Sequence, residues 1–110
     1  MDIRKKAFFY CICDKKPFLL VEGKYSWFYR CTNYYREYRK EGEPVCNNCL
    51  SLRDQDFIYS ELLWLENEGT LKEGYIGENN RLKYQIELVS QEQIKVYVAN
   101  KSKIKGRSTN

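Results

Sequence analysis

The sequence predicts an α+β protein in which a β-hairpin lobe, drawn together by cysteine sulfur, precedes one amphipathic helix packed on a three-stranded antiparallel meander. Three observations carry that reading. All five cysteines fall in the first half of the chain, as Cys11 and Cys13, then Cys31, then Cys46 and Cys49. Apolar residues recur at helical spacing from Ile58 to Leu65. Beyond Leu82 they alternate with polar residues at a period of two, the mark of half-buried strands.

The elements follow in order. Phe8 to Cys13 is rich in aromatic and β-branched residues and reads as a short strand, ended by Asp14-Lys15-Lys16-Pro17. Within a strand, Cys11 and Cys13 would point to one face. Phe18 to Val21 is a second strand, and the Gly23 turn leads into a third, Tyr25 to Cys31. These two arms form a β-hairpin that delivers Cys31 at its far end. Thr32 to Glu43 reads equally as helical turns or as an edge strand, and Gly42 and Pro44 then break the chain.

Ser51-Leu52-Arg53-Asp54 is a capping sequence, and Asp54 and Asp56 suit the positive end of a helix. Gly69 is its stop signal. Ile58, Leu62 and Leu65 form the apolar stripe, which Phe57, Tyr59, Leu63 and Trp64 widen until the helix must be sandwiched or meet a partner. Strands around Leu71–Ile76, Leu82–Leu88 and Ile94–Val98 then make the meander, with turns at 77–80 and 90–93. The chain thus divides into a basic, aromatic-rich cysteine lobe over 1–50, a helix and meander over 51–100 in one compact unit with it, and a flexible basic tail over 101–110.

Charge is distributed along the same divisions. Residues 1–53 carry a net +5, residues 54–100 a net −5, and residues 101–110 a net +4. A polyanion should therefore meet the first half or the tail. The basic start lacks the apolar length and cleavage site of a secretory signal, and no apolar run approaches the ~20 residues of a membrane span. A cytoplasmic or nuclear, reducing location is expected. There, five cysteines imply metal or redox chemistry before disulfides, and an odd number suits paired bridges poorly.

Cys46-Asn47-Asn48-Cys49 is a turn that lets two thiolates converge on one ion. The chain has no histidine, so four of Cys11, Cys13, Cys31, Cys46 and Cys49 would hold a structural Zn2+. The tetrads favoured are Cys11/Cys13/Cys46/Cys49 and Cys13/Cys31/Cys46/Cys49. Zinc is preferred because thiolates are soft ligands and zinc needs no redox partner; an iron–sulfur cluster is the second choice. The layout, a ligand-bearing hairpin closed by a later Cys-x-x-Cys turn, resembles zinc ribbons. Trp27 to Cys31 also resembles the aromatic strand ahead of a cysteine in small zinc fingers, without their closing histidine.

A second constellation runs from Lys24 to Lys40, where Arg30, Tyr34, Tyr35, Arg36, Tyr38, Arg39 and Lys40 interleave cations with rings. Together with Lys15 and Lys16 these are the candidate nucleic-acid contacts, for RNA or DNA, because cations neutralise phosphates while rings stack on unpaired bases. Two rival readings stand beside it. One is a regulatory or inhibitory protein-interaction module docking through the Phe57–Leu65 helix or the meander edge; the other is a thiol-redox protein using Cys46 and Cys49. Gly-rich phosphate loops, Gly-x-Ser-x-Gly elbows and histidine bases are absent, so neither catalysis nor a small-molecule substrate is indicated.

Overall fold

A computed structural model describes residues 2–13 and 15–101. The predicted basic tail therefore lies almost wholly outside the described residues. The protein is a mixed α+β structure in which a curled seven-strand sheet wraps one long helix.

A single helical turn, α1 (Ile3–Lys6), is capped by the Asp2 side chain and leads directly into β1 (Ala7–Cys11). β2 (Lys16–Glu22) and β3 (Trp27–Cys31) form the predicted hairpin. Two 3₁₀ turns, Thr32–Tyr34 and Arg36–Tyr38, resolve the ambiguity of the tyrosine-rich stretch on the helical side. β4 (Cys49–Ser51) runs straight into α2 (Leu52–Glu68). β5 (Ile76–Glu78), β6 (Leu82–Ser90) and β7 (Gln93–Asn100) complete the chain.

Helix α2 starts and stops where its residues require. The Ser51 hydroxyl accepts from the Asp54 backbone N–H at 3.0 Å, and Gly69 closes the helix in the left-handed region that glycine enters without penalty. Ile58, Leu62 and Leu65 are the buried stripe, and Ile58 and Leu62 join Leu82, Tyr84, Ile86, Ile94, Val96 and Val98 of the meander in one core. Phe57, Leu63 and Trp64 stay exposed on the opposite side.

The strand order is β4-β3-β2-β1-β7-β6-β5, antiparallel throughout except where β1 meets β7 in parallel, with Ala7 beside Ile94 and Cys11 beside Val98. That one join makes the cysteine half and the meander a single sheet. Within the meander, β5 is shorter and later than the strand predicted at 71–76. Its Gly77 lies against the ring of Tyr84, leaving no room for a Cβ. No helix of the described residues is long and apolar enough to cross a membrane.

Candidate metal centre

Four elements deliver the cysteines to one point. Cys11 ends β1 and Cys31 ends β3, and both are fully buried. Cys13 lies in the turn after β1, on the exposed side, and Cys46 in the loop that leads to β4. Their Sγ atoms all lie within 4.8 Å of one another. The closest approaches are 3.1 Å for Cys11–Cys13, 3.6 Å for Cys11–Cys46 and 3.9 Å for Cys13–Cys31. Four sulfurs placed ~2.3 Å from a tetrahedral metal stand about 3.8 Å apart, so the observed spacings bracket what one ion requires. Cys11, Cys13, Cys31 and Cys46 are close enough to hold a metal ion.

Two asparagines with no site role legible in the sequence hold this arrangement. Asn48, buried, donates from its amide to Cys11 Sγ at 3.0 Å and accepts from the Asn100 backbone N–H at 3.4 Å. Its carbonyl also accepts from the Cys31 N–H at 3.0 Å, so one residue ties the ends of β1, β3 and β7 together. Asn33, equally buried, donates its backbone N–H to Cys31 Sγ at 3.4 Å while its carbonyl accepts from the Cys46 N–H at 3.3 Å. N–H···S hydrogen bonds of this kind fix and stabilise thiolate ligands. A polar residue next to a cysteine is too common for either asparagine to stand out in the sequence.

Electrostatically the four thiols behave as one group. Hydrogen bonds from the Cys11 and Cys31 thiols hold Cys46 well below the ordinary thiol range. Sharing with Cys11 and Cys46, then burial, pushes Cys31 far up, and burial followed by the same sharing pushes Cys13 up. For Cys11 the contact with Cys31 pulls down, but sharing with Cys46 and burial outweigh it, so it too is raised. The four thiols therefore resist losing more than one proton among them, because like charges at this separation repel. A divalent cation would remove that resistance.

Cys49 is not part of the cluster. Both tetrads favoured from sequence include it, and the structure gathers neither. The reason is strand geometry: in β4, Leu50 pairs with Tyr29 and points into the core, so Cys49 turns to the other face of the sheet beside Arg30. There its thiol donates to the Asn47 carbonyl at 3.4 Å. The dithiol expected of a redox turn is split the same way, with Cys46 among the other three cysteines. Cys11 and Cys13 do act together, but across the turn that follows β1 rather than along a strand.

The candidate nucleic-acid residues fall around the same end of the sheet. The Arg30 guanidinium lies 4.9 Å from the Phe28 ring centre and 4.2 Å from that of Tyr34. Tyr34, Tyr35 and Tyr38 form edge-to-face pairs at 5.2 and 6.5 Å. Arg39 is committed to structure, donating to the carbonyls of Asn33 and Tyr34 at 3.3 and 3.2 Å. Lys16 lies 3.8 Å from the Glu43 carboxylate, which also accepts from the Lys40 backbone N–H. Arg36 and the Lys40 side chain face solvent, and Lys15 sits over the ring of Tyr97 at 5.5 Å.

No protein-family model, curated protein or solved structure matches this chain.

Proposed function

We propose that the protein is a small zinc-stapled module whose four-cysteine site is structural, and that it binds nucleic acid through its basic, tyrosine-rich N-terminal lobe. The observation that carries the zinc assignment is the convergence of four sulfurs from elements distant in sequence within 4.8 Å. An all-sulfur, closed donor set suits a structural zinc, and it leaves no open position of the kind that catalysis needs. The likeness to a zinc ribbon is limited to the principle of hairpin-borne ligands, since the final ligand comes from Cys46 alone.

The zinc would clamp the ends of β1 and β3 to the loop carrying Cys46, and so hold in place the 3₁₀ turns with their exposed Arg36, Tyr38 and Lys40. Cations interleaved with rings are the chemistry that nucleic-acid backbones and unstacked bases select. Elemental analysis of the purified protein, combined with a thiol count, tests the metal: one zinc per chain with a single reactive thiol, that of Cys49, is expected. Iron with acid-labile sulfide would replace zinc by a cluster. Titration with labelled oligonucleotides tests the second part, with affinity falling steeply as salt rises and falling further in Arg36→Ala.

A protein-docking reading is favoured by one observation. Trp64 is 60% exposed on α2, beside Leu63 at 42% and Phe57 at 39%. Salt-insensitive binding to a protein partner that is lost in Trp64→Ala, with no oligonucleotide bound at moderate ionic strength, would select it.

A further inference from the structure

The sheet has two faces, and α2 covers one of them. Alternation along β1 sends Ala7, Phe9 and Cys11 toward the helix and the cysteines, and Phe8 and Tyr10 the other way. The same count turns Phe28 and Arg30 outward on β3, and Lys95 and Tyr97 outward on β7. Rings and cations from three strands therefore share the face that the helix leaves open. Phe8 is 45% exposed there. The Tyr10 ring lies 5.9 Å from that of Tyr97, and Lys95 Nζ stands 5.4 Å above it. Arg30 caps Phe28 in the same manner at 4.9 Å.

Tyr10 and Phe28 thus each have a cation against the ring, and Phe8 stands beside Lys95 in the β1–β7 register. Lys95, and Arg30 from its place between Phe28 and Tyr34, are long enough to swing aside to a phosphate while a base takes their place on the ring. Lys15 and Lys83 add to the positive charge of this face, against which stand the carboxylates of Glu87, paired in register with Lys95, and of Glu78, paired in register with Lys83 and bridged to Lys101. An apolar protein surface would leave these cations buried without partners. A duplex has its bases already stacked and offers the rings nothing. An unpaired strand uses both features together, bases on rings and phosphates on cations. Glu87 gives this face a group that would tell the two sugars apart. It accepts from the Tyr97 hydroxyl at 2.8 Å and has acceptor capacity for another hydroxyl, which a ribose 2′-OH supplies and deoxyribose lacks.

We infer that this open sheet face binds single-stranded RNA, with bases stacking on Phe8, Tyr10 and Phe28 and phosphates held by Arg30 and Lys95. The inference rests on the nucleic-acid reading above and moves the contact from the 3₁₀ turns to the sheet.

The test is fluorescence anisotropy of the full chain, metal-loaded, with a labelled oligouridylate, the matching oligothymidylate and a blunt RNA duplex. Oligouridylate should bind about tenfold tighter than the duplex and measurably tighter than oligothymidylate. Tyr10→Ala and Phe28→Ala should each weaken it about tenfold, the scale of one lost base stack, and Tyr10→Phe should restore it. Lys95→Gln should lower the salt slope by about 0.7, one phosphate contact on a single strand. Metal content and circular dichroism identify any variant that has merely misfolded. Duplex or DNA bound as well as RNA, or loss in Arg36→Ala with Tyr10→Ala neutral, overturns this inference while leaving the broader reading standing. No binding to any of the three probes overturns both.

Discussion

Replacing Cys46 by serine removes the sulfur that closes the largest loop on the cluster. Its Sγ lies 3.6 Å from that of Cys11 across 35 positions of sequence. Tying a loop of that length removes unfolded-state entropy worth about 4 kcal/mol on the chain-entropy account of cross-links, and a metal clip acts in the same way. A domain of this size holds roughly 5–15 kcal/mol of stability in all. Cys46→Ser should therefore release the metal and lower Tm by about 15 °C or more. Cys49→Ser is the matched control, three positions away and identical in chemistry, with a thiol that lies outside the cluster, beside Arg30, and donates to the Asn47 carbonyl. It should keep its metal and lose no more than about 1 kcal/mol. Metal analysis after gel filtration, with thermal melts read by circular dichroism, gives both quantities. Equal loss of metal in the two variants, or a Cys46→Ser protein with its full metal content and unchanged Tm, would refute the reasoning.

Three further outcomes are expected. Leu62→Ala empties a fully buried position between α2 and the meander and should cost about 2–5 kcal/mol in denaturant titration with an unchanged m-value; a loss below about 1 kcal/mol, on the scale of a surface site, would contradict the packing described. Gly77→Ala drives a Cβ into the buried Tyr84 ring and should lower stability by about 1–3 kcal/mol, so a neutral result would mean that β5 does not lie against that ring. Burial first, and then the hydrogen bond to Glu61, raise Tyr84 above its ordinary value of 10.0. The unfolded chain then releases this proton more readily than the folded one, so the contribution is complete below pH 10 and lost as pH rises beyond it. Tyr97, pushed up to about 12 by burial and by Glu87, acts with the same sign. Denaturant midpoints measured from neutral to alkaline pH should fall more steeply in the native chain than in Tyr84→Phe, and identical slopes would contradict the assignment.

What could be read from the sequence was local. The α2 boundaries follow from Ser51 and Gly69 acting on their own neighbours, and β6 and β7 from alternation over eight or nine residues. Pairings between distant segments left no such trace. β1 and β7 meet in parallel with Ala7 beside Ile94, and nothing near either residue specifies the other. The same limit explains the cysteines. Cys46 and Cys49 have the spacing of a metal turn, but the three residues Cys49–Ser51 are captured as a strand by β3, and pairing Leu50 with Tyr29 in the core turns Cys49 away. A strand so short shows no periodicity. Cys31 joined the site because β3 ends there, and Asn33 and Asn48 gained their roles only when three strand ends met.

The most direct test of the four-sulfur centre is X-ray absorption at the metal edge of the native protein. The account predicts zinc with a single shell of four sulfurs at ~2.3 Å, unchanged in Cys49→Ser. A shell containing nitrogen or oxygen, a Cys49→Ser spectrum with a sulfur missing, or protein that is folded and metal-free would contradict it.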